Sequence, residues 1–275
     1  MRVRFRILRR ALWTLVENSG FSMAGAIAFS FLLSLFPFSI FLTALAGTIG
    51  GRDLATSAVA QLFEVVPEPV AKALAPEVER VMGHSQFGLL TIGAAVSLLF
   101  ATSAIETLRA ALNVAYHVKE HRSYLWCLAQ SSLFVFATAA GMLVMAWGVV
   151  VGPAIVAMSD SEALSWLLNR GLFSLPTRYT IVFAVILTQL FAYHLWLAAG
   201  RRTLRETWPG VLLSATLWVS TASLYSKWLT VSDYTKFYAG LTQLLSALIF
   251  FQVSGMIMIL GAEFNRALAE ARATM

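Results

Sequence analysis

Long charge-free apolar runs are the feature that most limits how this chain can fold. Six of them occur, at 18–51, 81–105, 123–159, 179–200, 207–226 and 237–262. A helix needs about 20 mainly apolar residues to cross a bilayer. Because 59% of the residues are hydrophobic and only 12% are charged, too little polar surface is left to enclose a water-soluble core. The sequence predicts an all-α, polytopic membrane protein with six transmembrane helices and short interfacial amphipathic helices.

The chain is expected to form a single membrane domain over residues 1–275. The first and third runs exceed one span, but neither is long enough for a helical hairpin. Pro37 and the glycines that follow it indicate a kinked or broken first helix. We expect the spans near 22–48, 87–108, 124–152, 179–200, 208–228 and 239–262.

Two segments outside the spans have amphipathic patterns. In residues 1–17, apolar side chains recur at helical spacing between arginines, which favours a cytoplasmic helix lying on an anionic leaflet over a disordered basic tail. In residues 52–86, apolar residues recur every four positions, while Pro67, Pro69 and Pro76 forbid one continuous helix. We expect short helices on the outer surface there, acting either as a lid or as a structural cap.

The basic residues indicate the orientation. Six spans leave thirteen arginines and lysines on the side that carries both termini and seven on the other side. The positive-inside rule therefore predicts cytoplasmic termini and an inner-membrane protein. The net charge of +6 is spread over short loops, which favours anionic membrane lipids as partners and argues against nucleic acid. The single cysteine, Cys127, is expected to be a buried apolar filler.

Small and polar residues form stripes on two spans. In the first span, small residues four apart would let helix backbones approach closely, at Ser22, Ala26, Ser30 and Ser34. One face of the last span carries a second stripe, made of Gly240, Gln243, Ser246, Ala247, Ser254 and Gly261. Such a face either packs against a neighbouring helix or lines a polar cavity, and the sequence leaves both interpretations open.

Charged and amide side chains lie at the cytoplasmic ends of two spans. Glu106, Arg109 and Asn113 share one helical face, with an ion pair possible between the first two. Glu263 and Asn265 end the last span. These groups either line an inward-facing polar vestibule or act as interfacial anchors. His194, alone in the fourth span, is expected to be a hydrogen-bonded core histidine.

One loop carries a metal-binding pattern. His117, Glu120 and His121 match the H-x-x-E-H arrangement of inverted zinc proteases. A third protein ligand is lacking nearby, so His117 and His121 are weak metal candidates and no cofactor is expected. No Walker loop, nucleophile elbow or nucleotide fingerprint occurs in the sequence, which gives no support for an ATP-driven pump or a hydrolase.

Three stretches together resemble one bacterial family. "GAIAFSFLLSLFPFSIF", "FATSAIETLRAALNVAYHVKEHRSYL" and "YTKFYAGLTQLLSALIFFQVSGMIMILGAEFNRAL" are similar to signatures of the YihY/virulence factor BrkB family of inner-membrane proteins. The resemblance implies a six-helix membrane domain with both termini inside, and roles in the envelope, in virulence or in transport. Members were long labelled ribonuclease BN, and nothing in this sequence supports that activity. The family's aromatic-Gly pair is interrupted here by Ala239.

The leading hypothesis is a transporter or lipid-handling protein that does not hydrolyse nucleotides. Replacing Glu106 or Arg109 by alanine should then abolish activity without unfolding the protein. The alternatives are a non-transporting scaffold for unidentified envelope proteins and, remotely, a loop-borne metallohydrolase. Homo-oligomers are compatible with the small-residue stripes. The binding or transport candidates are Pro37, Glu106, Arg109, Asn113, Tyr234, Tyr238, Gln243, Ser246, Glu263 and Asn265.

Overall fold

The computed structural model describes residues 2–34, 87–146, 175–231 and 241–273, and every regular element in these ranges is a helix. In chain order they are α1 (Arg2–Glu17), α2 (Gly20–Ser34), α3 (Phe87–Ala115), α4 (Tyr124–Ala146), α5 (Leu175–Ala192), α6 (Leu204–Val231) and α7 (Leu241–Ala273). A π-helical turn, Tyr193–Leu197, continues α5. The predicted all-helical class is confirmed.

The number of spans differs from the expected six. Among the described residues, Thr91–Ala115, Thr180–Leu197 and Leu245–Ala273 are long and apolar enough to cross a membrane. The bent pair of α1 and α2 would make a fourth span. The expected spans 22–48, 124–152 and 239–262 include residues outside the described ranges, and the 52–86 segment lies wholly outside them. The count of six therefore remains a prediction.

The first two helices meet at a sharp corner. Their axes are bent by 67°, and Ser19 takes a left-handed conformation with φ of 57° at the turn. Ala11 is fully buried where α1 lies against α7, whereas Trp13 and Val16 are exposed. Arg10 also pairs with Glu270 of α7 at 2.7 Å. Helix α1 therefore has one side packed on the bundle and an apolar side available to a membrane interface.

Helix α7 is the centre of the bundle, in contact with α1, α3 and α6. Helix α4 packs on α3, and α5 packs on α6. Among the described residues, a buried apolar cluster lies near one end, where Ile105 and Leu112 of α3 meet Leu197 and Ile259. That end also contains the α1–α2 corner, the α3–α4 loop, the α5–α6 connection and the final turns of α7, and we call it the terminal side.

Close packing between α6 and α7 depends on two glycines. A Cβ atom at Gly261 would overlap the Ser214 hydroxyl, and one at Gly210 would overlap the Gly261 carbonyl oxygen. Gly255 of α7 likewise faces Ala24 of α2, whose Cα would lie 3.3 Å from an added Cβ. Small residues thus let the backbones approach at both contacts.

Candidate functional site

Arg109 is a buried charge that joins α3 to the start of α4. The residue is 2% exposed, and its Nη1 donates to both carboxylate oxygens of Glu106 at 2.8 and 3.0 Å. Its Nη2 donates to the Cys127 carbonyl at 2.8 Å and to the Ser131 hydroxyl at 2.7 Å. Removing this side chain would leave buried acceptors without a donor. The burial gives Arg109 a structural role, which makes loss of folded protein the expected result of its substitution.

Arg122 ties the α3–α4 loop to the end of α5. It forms a two-point contact with Glu120, with both N···O distances at 2.7 Å. It also donates to the carbonyls of Trp196 and Leu197 at 3.2 and 2.8 Å. A cation is favourable there because the unpaired carbonyls at a helix C-terminus carry partial negative charge. The hydrogen bond from Arg122 lowers the pKa of Glu120 from its usual 4.5 to about 2.

Asn113 joins the same loop to the α5–α6 connection. Its Oδ1 accepts the Ala199 backbone N–H at 2.7 Å, and its Nδ2 donates to Glu120 at 3.2 Å. The side chain is 7% exposed. Both polar ends of the amide are therefore used in holding three segments together.

A buried cluster of aromatic and polar groups lies beneath this connection. The Tyr116 hydroxyl is 2.7 Å from Nδ1 of His194 and accepts a hydrogen bond from Asn265 at 3.2 Å. The Arg202 guanidinium carbon lies 3.8 Å from the centre of the Tyr116 ring, a cation–π contact. Burial raises the pKa of Tyr116 to about 12 and lowers that of Arg202. His194 is fully buried and hydrogen-bonded, as expected of a core histidine.

Asn265 compensates for a proline inside α6. Pro209 has no N–H and its ring disturbs the preceding turn. Asn265 accepts the Gly210 N–H at 2.6 Å and donates to the Thr207 carbonyl at 3.0 Å. The amide thus bonds backbone groups of α6 on both sides of the proline.

Glu263 is a fully buried carboxylate with two partners. It accepts hydrogen bonds from Asn18 at 2.7 Å and from Nη2 of Arg266 at 2.7 Å. Arg266 also donates to the carbonyl of Ala115, the last residue of α3, at 3.0 Å. Glu263 therefore links the α1–α2 corner, α3 and α7.

A cleft of about 950 Å³ opens on the terminal side between the α3–α4 loop, the end of α5 and the start of α6. We call it the terminal-side cleft. Its mouth carries four basic residues, Lys119, Arg122, Arg201 and Arg202, and one acidic residue, Glu120. Its wall along α5 is largely apolar and includes Thr188, Phe191, Leu195 and Trp196. The cleft thus combines a basic mouth with an apolar wall.

The predicted candidates fall into three groups. The five charged or amide candidates, Glu106, Arg109, Asn113, Glu263 and Asn265, do not line the cleft. Glu106 pairs with Arg109 within α3, and the other four bond to other helices or loops. Ser246 is 5% exposed and forms a hydrogen bond with Tyr225. Pro37, Tyr234, Tyr238 and the side chain of Gln243 lie outside the described residues.

The small-residue stripes are only partly used as expected. On the last span, Gly261 packs against α6, and Ser254 accepts a hydrogen bond from Trp218 at 3.2 Å. On the first span, Ser22 and Ala26 of the expected ridge are exposed, while Ser30 and Ser34 are half-buried. Ala24 and Ala28 are the buried small residues there, because Ala24 is the one that meets Gly255 of α7.

The side chains of the metal-binding pattern have separate partners. His117 lies 3.3 Å from Asn18, His121 contacts the Lys119 carbonyl at 2.8 Å, and Glu120 is paired with Arg122. Within the ranges that the structure describes, no three His, Cys, Asp or Glu side chains are grouped so as to hold a metal ion. The structure gives no support to the metallohydrolase alternative.

Sequence reasoning did not predict the cleft. Of its lining residues, Glu120 and His121 belong to the metal-binding pattern, while Lys119, Arg122 and Arg201 are among the thirteen arginines and lysines that indicate the orientation. Their position at the ends of apolar spans was a usable signal, because basic residues beside such ends often meet lipid headgroups. Which of them share one cleft depends on the packing of α3, α5 and α6, which no local pattern encodes.

Comparisons with known proteins identify the family. The chain is 28% identical over 262 residues to the protein named ribonuclease-like protein YfkH of Bacillus subtilis (strain 168), an alignment that covers 91% of this chain and 90% of that protein. No solved structure matches the chain significantly. The family model described as Virulence factor BrkB matches residues 12–275. This chain belongs to the virulence factor BrkB family of membrane proteins.

Proposed function

We propose that this BrkB-family protein handles lipid at the bacterial inner membrane and takes part of a lipid molecule into the terminal-side cleft. The observation that carries the proposal is the cleft itself, whose basic mouth adjoins an apolar wall on α5. Sites for amphipathic ligands combine apolar lining with a few charged groups that fix orientation. The proposal includes no nucleotide hydrolysis by this chain.

The length of the cleft along α5 supports a lipid as the ligand. Thr188 lies eight residues before Trp196, the last lining residue of the π-helical turn, so the wall extends about 12 Å along α5. Thr188 is exposed and lies within the candidate span Thr180–Leu197. A ligand held along this wall would pass from the level of the loops into the apolar layer.

The excess of arginines and lysines on the terminal side supports a cytoplasmic orientation. In that orientation the cleft opens to the inner leaflet of the membrane. The ligand would then enter from the leaflet in which the basic mouth is at headgroup level.

A substitution that fills the cleft tests the proposal. Thr188→Trp puts a large side chain on the apolar wall, while Phe183→Trp changes an exposed residue of the same helix that does not line the cleft. We expect native mass spectrometry of the gently purified protein to find fewer retained lipids in Thr188→Trp only. The same variant should slow lipid movement between leaflets of reconstituted vesicles. Equal lipid retention in both variants would refute the proposal.

A scaffold for envelope proteins is the second candidate function. It is favoured by the observation that Arg109, Asn113, Glu263 and Asn265 all hydrogen-bond within the bundle. A scaffold requires no lipid in the cleft. It therefore predicts that Thr188→Trp retains the lipids and the envelope contacts of the unmodified protein.

A further inference from the structure

The mouth of the terminal-side cleft contains two basic side chains with no intramolecular partner. Among the described residues, neither Lys119 nor Arg201 forms a hydrogen bond or ion pair through its side chain, and both are exposed. The other two cations are already engaged, since Arg122 is paired with Glu120 and Arg202 lies on the Tyr116 ring. Lys119 and Arg201 are therefore the two basic side chains at the mouth that remain available to a ligand.

The surroundings indicate where a membrane surface would meet these charges. Exposed tryptophans occur on the terminal side at Trp13, Trp126, Trp196 and Trp208, each more than 45% exposed. Tryptophan is enriched at the level of lipid headgroups. Trp196 itself lines the cleft, so the two free cations are near headgroup level and the apolar wall runs deeper.

We propose that the terminal-side cleft binds an anionic glycerophospholipid, with the headgroup phosphate between Lys119 and Arg201 and one acyl chain along Leu195 and Thr188. This inference rests on the proposed lipid-handling function and adds the class of lipid. Charge complementarity selects the anionic headgroup, because a zwitterionic lipid would bring its own cation to a mouth that is already positive. The acyl chain would fill the space beside α5 and gain van der Waals contacts with the apolar wall.

The test measures lipid class separately from lipid number. The full-length protein is delipidated in mild detergent and given equal amounts of phosphatidylglycerol and phosphatidylcholine with identical acyl chains. The ratio of bound lipids is then read by native mass spectrometry. The unmodified protein should prefer phosphatidylglycerol. Lys119→Gln combined with Arg201→Gln should reduce that preference by about tenfold or more, since one basic side chain near an anionic surface contributes a factor of about five.

A matched control removes the same charge elsewhere. Arg6→Gln combined with Arg9→Gln takes two exposed positive charges from α1, outside the cleft, and should leave the ratio unchanged. The thermal midpoints of both double variants should match that of the unmodified protein, since Lys119 and Arg201 are exposed. An equal loss of preference in both double variants would overturn the proposal, because general surface charge would then explain it.

Two other outcomes separate the inference from the function on which it rests. If Thr188→Trp reduces lipid retention while Lys119→Gln with Arg201→Gln leaves the class ratio unchanged, the headgroup site is refuted and the lipid-handling function stands. If Thr188→Trp retains all lipid, the function itself fails. Inorganic phosphate that displaces phosphatidylglycerol from the unmodified protein at equal concentration would show that the acyl chain adds no affinity. That result would identify the cleft as a site for a soluble anion and would refute the lipid.

Discussion

At the scale of single residues, Arg109 shows how a buried charge can join two helices. Arg109→Met would leave the Cys127 carbonyl and the Ser131 hydroxyl without their donor. We expect the free energy of unfolding to fall by about 2–3 kcal/mol, with a matching fall in folded yield. The exposed Arg205, changed to methionine, is the control and should alter stability by less than about 0.5 kcal/mol. Denaturant titration in detergent measures both, and an unaltered Arg109→Met midpoint would contradict this role.

The Glu120–Arg122 pair makes stability depend on pH. Hydrogen bonding to Arg122 lowers the pKa of Glu120 to about 2 in the folded protein, below its usual 4.5. The carboxylate therefore contributes stability above about pH 4.5, and this contribution is lost as the pH falls toward 2. The thermal midpoints of the unmodified protein and Glu120→Gln should differ at pH 6 and converge at the acid end. Arg122→Gln should also remove the pH-dependent part of the difference in thermal midpoint. A difference that stays constant with pH would exclude the Glu120–Arg122 pair as the source of the pH dependence.

The residue scale also shows what spacing can predict. Glu106 and Arg109 are three apart, so a helix brings them together, and their contact is present in the structure. The partners of Arg109 on α4 and the bond from Asn113 to Ala199 join residues that are far apart in sequence. Such contacts depend on how the helices pack, and periodicity within one helix does not contain that information.

At the scale of helices, glycine substitutions distinguish a packing stripe from an open face. Gly261→Ala would force the added methyl group against Ser214 of α6, and we expect a loss of about 1–3 kcal/mol from overpacking. Gly25→Ala on α2 is the matched control, because its nearest neighbour would be the Gln252 amide at 3.8 Å. That change should be neutral or stabilising by up to about 1 kcal/mol, since alanine favours helix. Thermal unfolding of both variants checks this, and equal midpoints would show that the α6–α7 contact is loose.

Helix positions were more predictable than helix faces. Long apolar runs predict helices because a backbone in lipid must satisfy its own hydrogen bonds. The side of α2 that packs on α7 was not predicted, because small residues recur at helical spacing on more than one side of this helix. The side that contains Ala24 is the one that faces Gly255 of α7. The hydrogen bonds to α6 backbone groups on both sides of Pro209 come from Asn265, which lies on another helix. The π-helical turn after α5 has no local sequence signal that we can identify.

At the scale of the whole molecule, polar contacts join the loops and helix ends of the terminal side to one another. Arg122 bonds the end of α5, Asn113 bonds the α5–α6 connection, and Glu263 bonds the α1–α2 corner. The same side carries the terminal-side cleft. Its mouth is therefore built on segments that polar contacts hold in place, which supplies the preorganisation that a binding site needs.

The orientation and the number of spans can be measured together. The single cysteine, Cys127, is buried, so Cys127→Ser gives a background for single introduced cysteines. Six spans with cytoplasmic termini require Tyr124→Cys and Arg272→Cys to react with a membrane-impermeant maleimide only after the spheroplasts are permeabilised. Ser57→Cys and Ser161→Cys, in segments outside the described residues, should react on intact spheroplasts, because the positive-inside rule assigns those segments to the outer side.

The reverse labelling would invert the topology, expose the cleft to the outer leaflet and refute uptake of lipid from the cytoplasmic leaflet. Labelling of Ser57→Cys alone on intact spheroplasts would reduce the number of spans below six, since it would leave residue 161 on the cytoplasmic side.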